Sequence, residues 1–238
     1  MRSFIFALSF CCSTNAIAGT VEFFDESSFL ALSGGTQIVH FDELNPGDNA
    51  IQGNEYSGLG LQIVQREGLP INVLFFGDSS FITRNGFPES VHSQPNAISS
   101  SGVNVGLGHN DAFSDNFDFI FSTPVFAASL FVGNIGPGET SVQFLRPDGS
   151  VLAEETFTTG HAGLIGGGFN NRVFYGAITT ERIGRIRTIE GTFDLDGILY
   201  DDIRFSASSA VPEPSGLISA AIGAVAWVGY RRRRVKVR

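Results

Sequence analysis

Residues 193–205 read Phe193-Asp194-Leu195-Asp196-Gly197-Ile198-Leu199-Tyr200-Asp201-Asp202-Ile203-Arg204-Phe205. Every second residue gives Phe193, Leu195, Gly197, Leu199, Asp201, Ile203 and Phe205. Side chains of a strand alternate between its two faces, so this is a strand with an apolar inward face and one carboxylate in it. An uncompensated buried carboxylate is costly. Asp201 therefore needs partners: backbone N–H groups, an arginine, or Ca²⁺. Near the start of the domain, Val39, Phe41 and Glu43 share one face, which leans Glu43 inward as well. A structural Ca²⁺ joining the first and last strands would draw oxygen ligands from Glu43 and Asp201. The alternative is a hydrogen-bonded Asp201 with Glu43 solvated at a strand end. Asp42 and Asp202 replace the pair if the phase is off by one residue. Asp194-Leu195-Asp196-Gly197 lacks the later ligand positions of a calcium loop and reads as a turn.

The same reading extends back through the chain. Short Val-, Ile- and Phe-rich segments fall at 21–24, 38–41, 59–64, 73–76, 103–107, 117–121, 127–132, 142–145, 151–157, 173–177, 183–189 and 198–205. Turn residues separate them, as in Asn45-Pro46-Gly47-Asp48, Gly136-Pro137-Gly138 and Pro147-Asp148-Gly149. Residues 29–32, after Asp25-Glu26-Ser27-Ser28, form one short capped helix. Regularly spaced strands with such turns predict an all-β domain, a β-sandwich. The glycines between 160 and 168 lack the Lys-Ser/Thr of a phosphate-binding loop and read as a flexible loop.

The two ends have a different character. Arg2, the apolar run 4–12 and Ala16-Ile17-Ala18 have the order of a secretory signal peptide, cleaved after Ala18 by signal peptidase at the Ala16/Ala18 site. Cleavage removes Cys11 and Cys12, so the mature chain has no cysteine. At the other end, Val211-Pro212-Glu213-Pro214-Ser215 precedes fifteen uncharged residues, 216–230, and then Arg231, Arg232, Arg233 and Arg234. As a helix the run spans roughly 22 Å, against about 30 Å of hydrocarbon. It is short for a permanent anchor, although snorkelling arginines would extend it. The basic cluster places that end in the cytoplasm, so the preceding domain lies outside the inner membrane. The domains are thus 1–18, 19–210 and 211–238, the last with a hydrophobic helix 216–230 and a basic tail 231–238.

Charge is divided unevenly between these parts. Arg2 and the tail hold seven of the 15 basic residues, and Glu213 is one of the 24 acids, so residues 19–210 carry eight arginines, no lysine and a formal charge of −15. Nucleic acid is excluded as a partner, since phosphates need basic groups. The four histidines, His40, His92, His109 and His161, show no compact metal spacing, and no nucleophile elbow is present. Twenty-three acids supply many carboxylate pairs, so a glycosidase pair cannot be singled out. The sole tryptophan, Trp227, lies in the tail, and the domain's phenylalanines read as core, which leaves few aromatic platforms for sugar rings.

The carboxyl-terminal order of Pro212-Glu213-Pro214, an apolar helix and Arg231–Arg234 resembles the PEP-CTERM sorting signal of Gram-negative bacteria. It covers about a tenth of the chain. The resemblance implies recognition by an exosortase, cleavage near Pro212-Glu213-Pro214, and passage from a transient inner-membrane anchor to the cell surface or exopolysaccharide matrix. Val235-Lys236-Val237-Arg238 runs beyond the usual end of such tails but stays basic. Phe41-Asp42-Glu43-Leu44, Tyr56-Ser57-Gly58-Leu59 and Tyr200-Asp201-Asp202-Ile203-Arg204-Phe205 are similar to the jelly-roll-like β-sandwich common among these proteins. The expectation is a non-enzymatic surface or matrix protein without cofactor, apart from the structural calcium. Its rivals are a carbohydrate-binding module for extracellular polysaccharide and a polysaccharide-active enzyme.

Overall fold

The computed structural model describes residues 19–45, 47–69, 71–75, 92–93, 96–99, 116–136, 138–167, 170–191 and 198–206. Gly19–Val211 forms one compact unit. The signal-peptide residues Ala16 and Ala18, the Pro212, Glu213 and Pro214 motif, the apolar run 216–230 and Arg231–Arg234 lie outside the described residues. So do the segments expected at 103–107 and 194–197. Among the described residues no helix is long and apolar enough to cross a membrane.

The domain is all-β and antiparallel. Its strands are β1 (Thr20–Phe23), β2 (Gln37–Val39), β3 (Gly47–Ile51), β4 (Leu61–Gln65), β5 (Ile71–Phe75), β6 (Asn96–Ser99), β7 (Phe117–Gly133), β8 (Thr140–Leu145), β9 (Val151–Phe157), β10 (Ile165–Gly167), β11 (Asn170–Glu190) and β12 (Leu199–Ser206). Helix α1 (Glu26–Leu32) follows β1. The hydrogen-bonded order is β3-β5-β6-β12-β7-β11-β8-β9, with β1 and β10 on β11, β2 on β12 and β4 on β7.

Several expected breaks are absent. The segments at 117–121 and 127–132 are one strand, β7, and those at 173–177 and 183–189 are one strand, β11. Strand β7 pairs with β4 through residues 117–121 and with β12 through 127–133. Pro124 falls between those two ladders, where a residue without an N–H costs no ladder bond. Its other neighbour, β11, absorbs the irregularity with register shifts around Ile183. Residues 165–167, expected as flexible loop, form β10 against β11, and Gly47-Asp48, expected as turn, belongs to β3.

Local chemistry explains the elements that position the site. Asp25 caps α1: its carboxylate accepts Ser28 N–H at 2.9 Å and the Ser27 and Ser28 hydroxyls at 2.7 and 2.8 Å. The Ser27 and Ser28 bonds hold its carboxyl below the ordinary range. The Pro147-Asp148-Gly149 turn closes the β8–β9 hairpin, with Gly149 at φ 89° and Asp148 accepting Ser150 N–H.

Residues 127–133 of β7 and 173–178 of β11 are covered on both faces. Leu130, Val132, Val173, Tyr175 and Ala177 face the main core with Phe117, Phe119 and Phe144. Ala127, Phe131, Phe174 and Ile178 face a second cluster with Phe23 and Phe29. Helix α1 is thus seated on the sheet by Phe29, which is fully buried. Gly176 makes room for that ring: a Cβ there would lie 2.8 Å from Phe29 Cδ2 and 2.9 Å from Ser129 Cβ.

Strand β12 corrects the phase read from sequence. Ile198 and Tyr200 face the main core, followed by Ile203 and Phe205. The inward set therefore changes parity between Tyr200 and Ile203. Register against β7 slips between Asp201 and Arg204, and Asp202 has φ 46°. This is a β-bulge built on a left-handed aspartate, a conformation aspartate tolerates better than most residues. Asp201 consequently does not share the core face with Ile203. It lies opposite Phe131, and both aspartates are buried.

Candidate functional site

The bulge gathers the domain's polar groups. Asp201 Oδ2 accepts the backbone N–H groups of His92 and Ser93 at 3.0 and 2.8 Å. Its Oδ1 accepts Asp202 N–H at 2.8 Å and the Ser93 hydroxyl at 3.1 Å. Asp202 Oδ1 accepts His40 Nδ1–H at 2.9 Å and lies 3.0 Å from Ser93 Oγ, and its Oδ2 accepts His92 Nδ1–H at 2.6 Å. Two consecutive carboxylates therefore clamp the His92-Ser93 segment to β12.

The two aspartates are driven apart electrostatically. Burial, then the neighbouring Asp202 charge, pushes Asp201 up to about 7 against the bonds from Ser93 and Asp202 N–H. Burial also acts on Asp202, but hydrogen bonds from His92, His40 and Ser93 override it and hold Asp202 below the ordinary carboxylate range. The Ser93 hydroxyl is within reach of both acids. A protonated Asp201 can donate to Ser93 Oγ while Ser93 donates to Asp202.

His92 links this clamp to a cavity. Its ring stacks on Phe131, with centroids 3.7 Å apart and planes 6° from parallel. Its Nε2 lies 3.4 Å from Glu26 Oε2. Glu26 Oε1 is 2.6 Å from Arg204 Nη2, which is itself 3.8 Å from Asp202 Oδ2. The first residue of α1 is thereby tied to β12 through an arginine and an imidazole. Beside it lies a cavity of about 270 Å³, walled by Phe24, Asp25, Glu26, His92, Ile165 and Arg172 over a floor of Phe131 and Phe174.

Two apolar side chains at this cavity are open to solvent. Phe24 is 40% exposed and Ile165 53% exposed. Phe24 stacks on Tyr175, with centroids 5.4 Å apart and planes 21° apart, and contacts His161 at 5.4 Å. Tyr175 is fixed from behind, because its hydroxyl donates to Glu22 Oε2 at 2.7 Å. The result is a braced aromatic ring flanked by carboxylate, imidazole and guanidinium groups. A ring offers its face to C–H groups, and the polar wall offers acceptors and donors to hydroxyls. A larger cavity of about 580 Å³, lined by residues such as Thr36, Gln37, Leu59, Ser122 and Thr123, has no titratable side chain in its lining.

The residues singled out from sequence are not brought together. Asp201 is buried, whereas Glu43 is exposed and its carboxylate neighbours the Tyr56 hydroxyl. That hydroxyl donates to His40 O at 2.9 Å. Burial, then the hydrogen bond with Glu43, pushes the Tyr56 phenol well above its ordinary value. Asp42 accepts Asn96 N–H at 3.0 Å. The Asp201 oxygens accept N–H groups of His92, Ser93 and Asp202 and the Ser93 hydroxyl, while Glu43 lies at Tyr56. Among the described residues no group of three or more His, Cys, Asp or Glu side chains is arranged to hold a metal ion. His40, His92, Ser93 and Phe24 were not foreseen in these roles. The usable signal was the adjacent Asp201-Asp202 pair, whose burial demands donors from elsewhere in the chain.

No family model and no curated protein matches the chain. Among solved structures, the fold is similar to the K1 cleaved adhesin domain of Lys-gingipain from Porphyromonas gingivalis W83. The identity is 12%, the match covers 74% of this chain and 99% of that one, and the TM-score is 0.44. The K2 cleaved adhesin domain of Lys-gingipain is 15% identical over 72% of this chain and 99% of its own, with a TM-score of 0.43. A family 6 carbohydrate-binding module is 13% identical over 72% and 94%, with a TM-score of 0.28.

Proposed function

We propose that this is an exported, exosortase-sorted protein whose jelly-roll-like β-sandwich holds a neutral polysaccharide at the cell surface or in the exopolysaccharide matrix, without catalysing its turnover. The observation that carries the binding part is Phe24. It is a solvent-open ring, braced by Tyr175, at the mouth of a cavity whose wall presents Glu26, His92 and Arg172. Sugar rings are bound by that combination of apolar face and polar rim. Supporting the non-catalytic part, Asp201 and Asp202 spend their oxygens on the His92-Ser93 segment. A glycosidase pair instead faces a bond across open space, with its carboxyl groups about 5–9 Å apart.

The sorting part rests on the sequence order of the two ends. Mass spectrometry of the mature protein from its native host tests it. The expected result is a chain beginning at Gly19 and ending near Pro214. A chain retaining Arg231–Arg234 at the surface overturns it. The binding part is tested by retention on neutral polysaccharides, and the enzymatic rival by release of reducing ends from them.

A further inference from the structure

We propose that the open face formed by β4, β7, β11, β8 and β9 carries a second site, centred on Arg66, Arg185 and Arg187, that binds the carboxylate of an acidic sugar residue. Phe117, Phe119, Phe144, Val142 and Ile186 turn inward from these strands. The alternate positions form the opposite face. Across it, Val64, Asp118, Arg187, Gln143 and Glu154 stand side by side in register.

Three guanidinium groups converge there on one carboxylate. Arg187 grips Asp118 with Nε and Nη2 at 2.8 and 2.9 Å, Arg185 Nη1 lies at 3.1 Å, and Arg66 Nε at 3.9 Å. Asp118 is buried and pushed upward by that burial, yet the arginines hold it below the ordinary carboxylate range. Arg66 is fixed further by donating through Nη2 to Thr188 O and Asn116 Oδ1. Three of the span's eight arginines thus meet at one carboxylate, with Glu154 beyond Gln143 and Glu67 joined to Arg66 through Asn116 as the next acids. That concentration is out of character for a span that carries −15 overall.

The cluster is also reachable. The arginine side chains are 27–29% exposed while Asp118 is 7% exposed, so the positive edges face solvent and the negative one does not. Arg185 commits a single N–H to Asp118. A planar carboxylate suits the remaining donors of such a fork. On the adjoining strands Gln143 donates to Glu154 and Ser141 shares a hydrogen bond with Thr156, which leaves the Gln143 carbonyl and the remaining hydroxyl lone pairs for sugar hydroxyls. The domain's overall negative charge repels a dense polyanion. The ligand that fits therefore carries sparse carboxylates, as in a uronate within an otherwise neutral repeat. A second copy of this acidic chain fits less well for the same reason.

The site is independent of the Phe24 cavity, and titration calorimetry separates the two. The probes are an oligosaccharide with one glucuronate per repeat and its carboxyl-reduced form, each titrated into the purified protein in low and high salt. The acidic form is expected to bind, with affinity falling as salt rises. The reduced form and the Arg185→Ala variant are each expected to weaken binding about tenfold and to abolish its salt dependence. Asp118→Asn, which removes the competing anion, is expected to tighten binding if it folds. Equal binding of both oligosaccharides, no binding of the acidic one, or unchanged binding by a folded Arg185→Ala protein overturns the proposal. So does sedimentation showing that the face joins two copies of the chain.

Discussion

His92 Nδ1 lies 2.6 Å from Asp202 Oδ2, and through that contact a loop residue is fastened to a strand 110 positions away in sequence. The same imidazole forms one wall of the Phe24 cavity. The bulge in β12 therefore shapes the cavity as well as the strand: it places the carboxylate that holds the wall.

Replacing that carboxylate separates charge from backbone shape. Asp202→Asn keeps a side chain that tolerates the left-handed region but loses the charge received by His40 and His92. The expected cost is about 1.5–3 kcal/mol in urea denaturation, the range for a hydrogen bond to a charged group. Asp202→Val is expected to cost more, because a β-branched residue is strained at positive φ. Equal stability of the two variants contradicts the bulge account.

Stability should depend on pH in opposite directions above and below the ordinary carboxylate range. Asp201 is raised from 3.8 to about 7, so its proton is bound more tightly in the native state. Its contribution is complete below its unfolded value and is lost as pH rises through 7. Asp202 and Asp118 are lowered, so theirs is present above the unfolded value and is lost as pH falls below it. Melting temperature is expected to decline between pH 5 and pH 8, and Asp201→Asn, neutral throughout, is expected to flatten that decline.

The seating of α1 depends on the missing side chain at Gly176. Gly176→Ala places a Cβ against Phe29 and Ser129. Overpacking of this kind costs about 1–3 kcal/mol. Chemical denaturation measures it, and the Phe29→Leu background is expected to recover part of the loss.

The all-β character was legible because each strand carries its own alternation and each hairpin its own turn residues. Asp25 and the serines after it announced α1 in the same local way. What was not legible depends on partners distant in the chain. The joining of β7 across Pro124 and of β11 across Ile183 needs the neighbouring ladders to be known. The parity change in β12 was visible in principle, as apolar residues at 198, 200, 203 and 205 with a step of three. Strict alternation hid it and put Asp201 on the core face. The donors to Asp201 and Asp202 come from His40 and His92-Ser93, which no local pattern connects to β12. Phe24 was absorbed into the core by composition, although it is one of the few large apolar side chains left open among the described residues.

The most direct measurement is affinity electrophoresis of the purified protein and its Phe24→Ala variant through gels containing neutral exopolysaccharide. The account predicts that the polysaccharide retards the unaltered protein, and that Phe24→Ala loses most of this retardation while its melting temperature is unchanged. Equal retardation of the two proteins, or none of either by any neutral polymer, contradicts it.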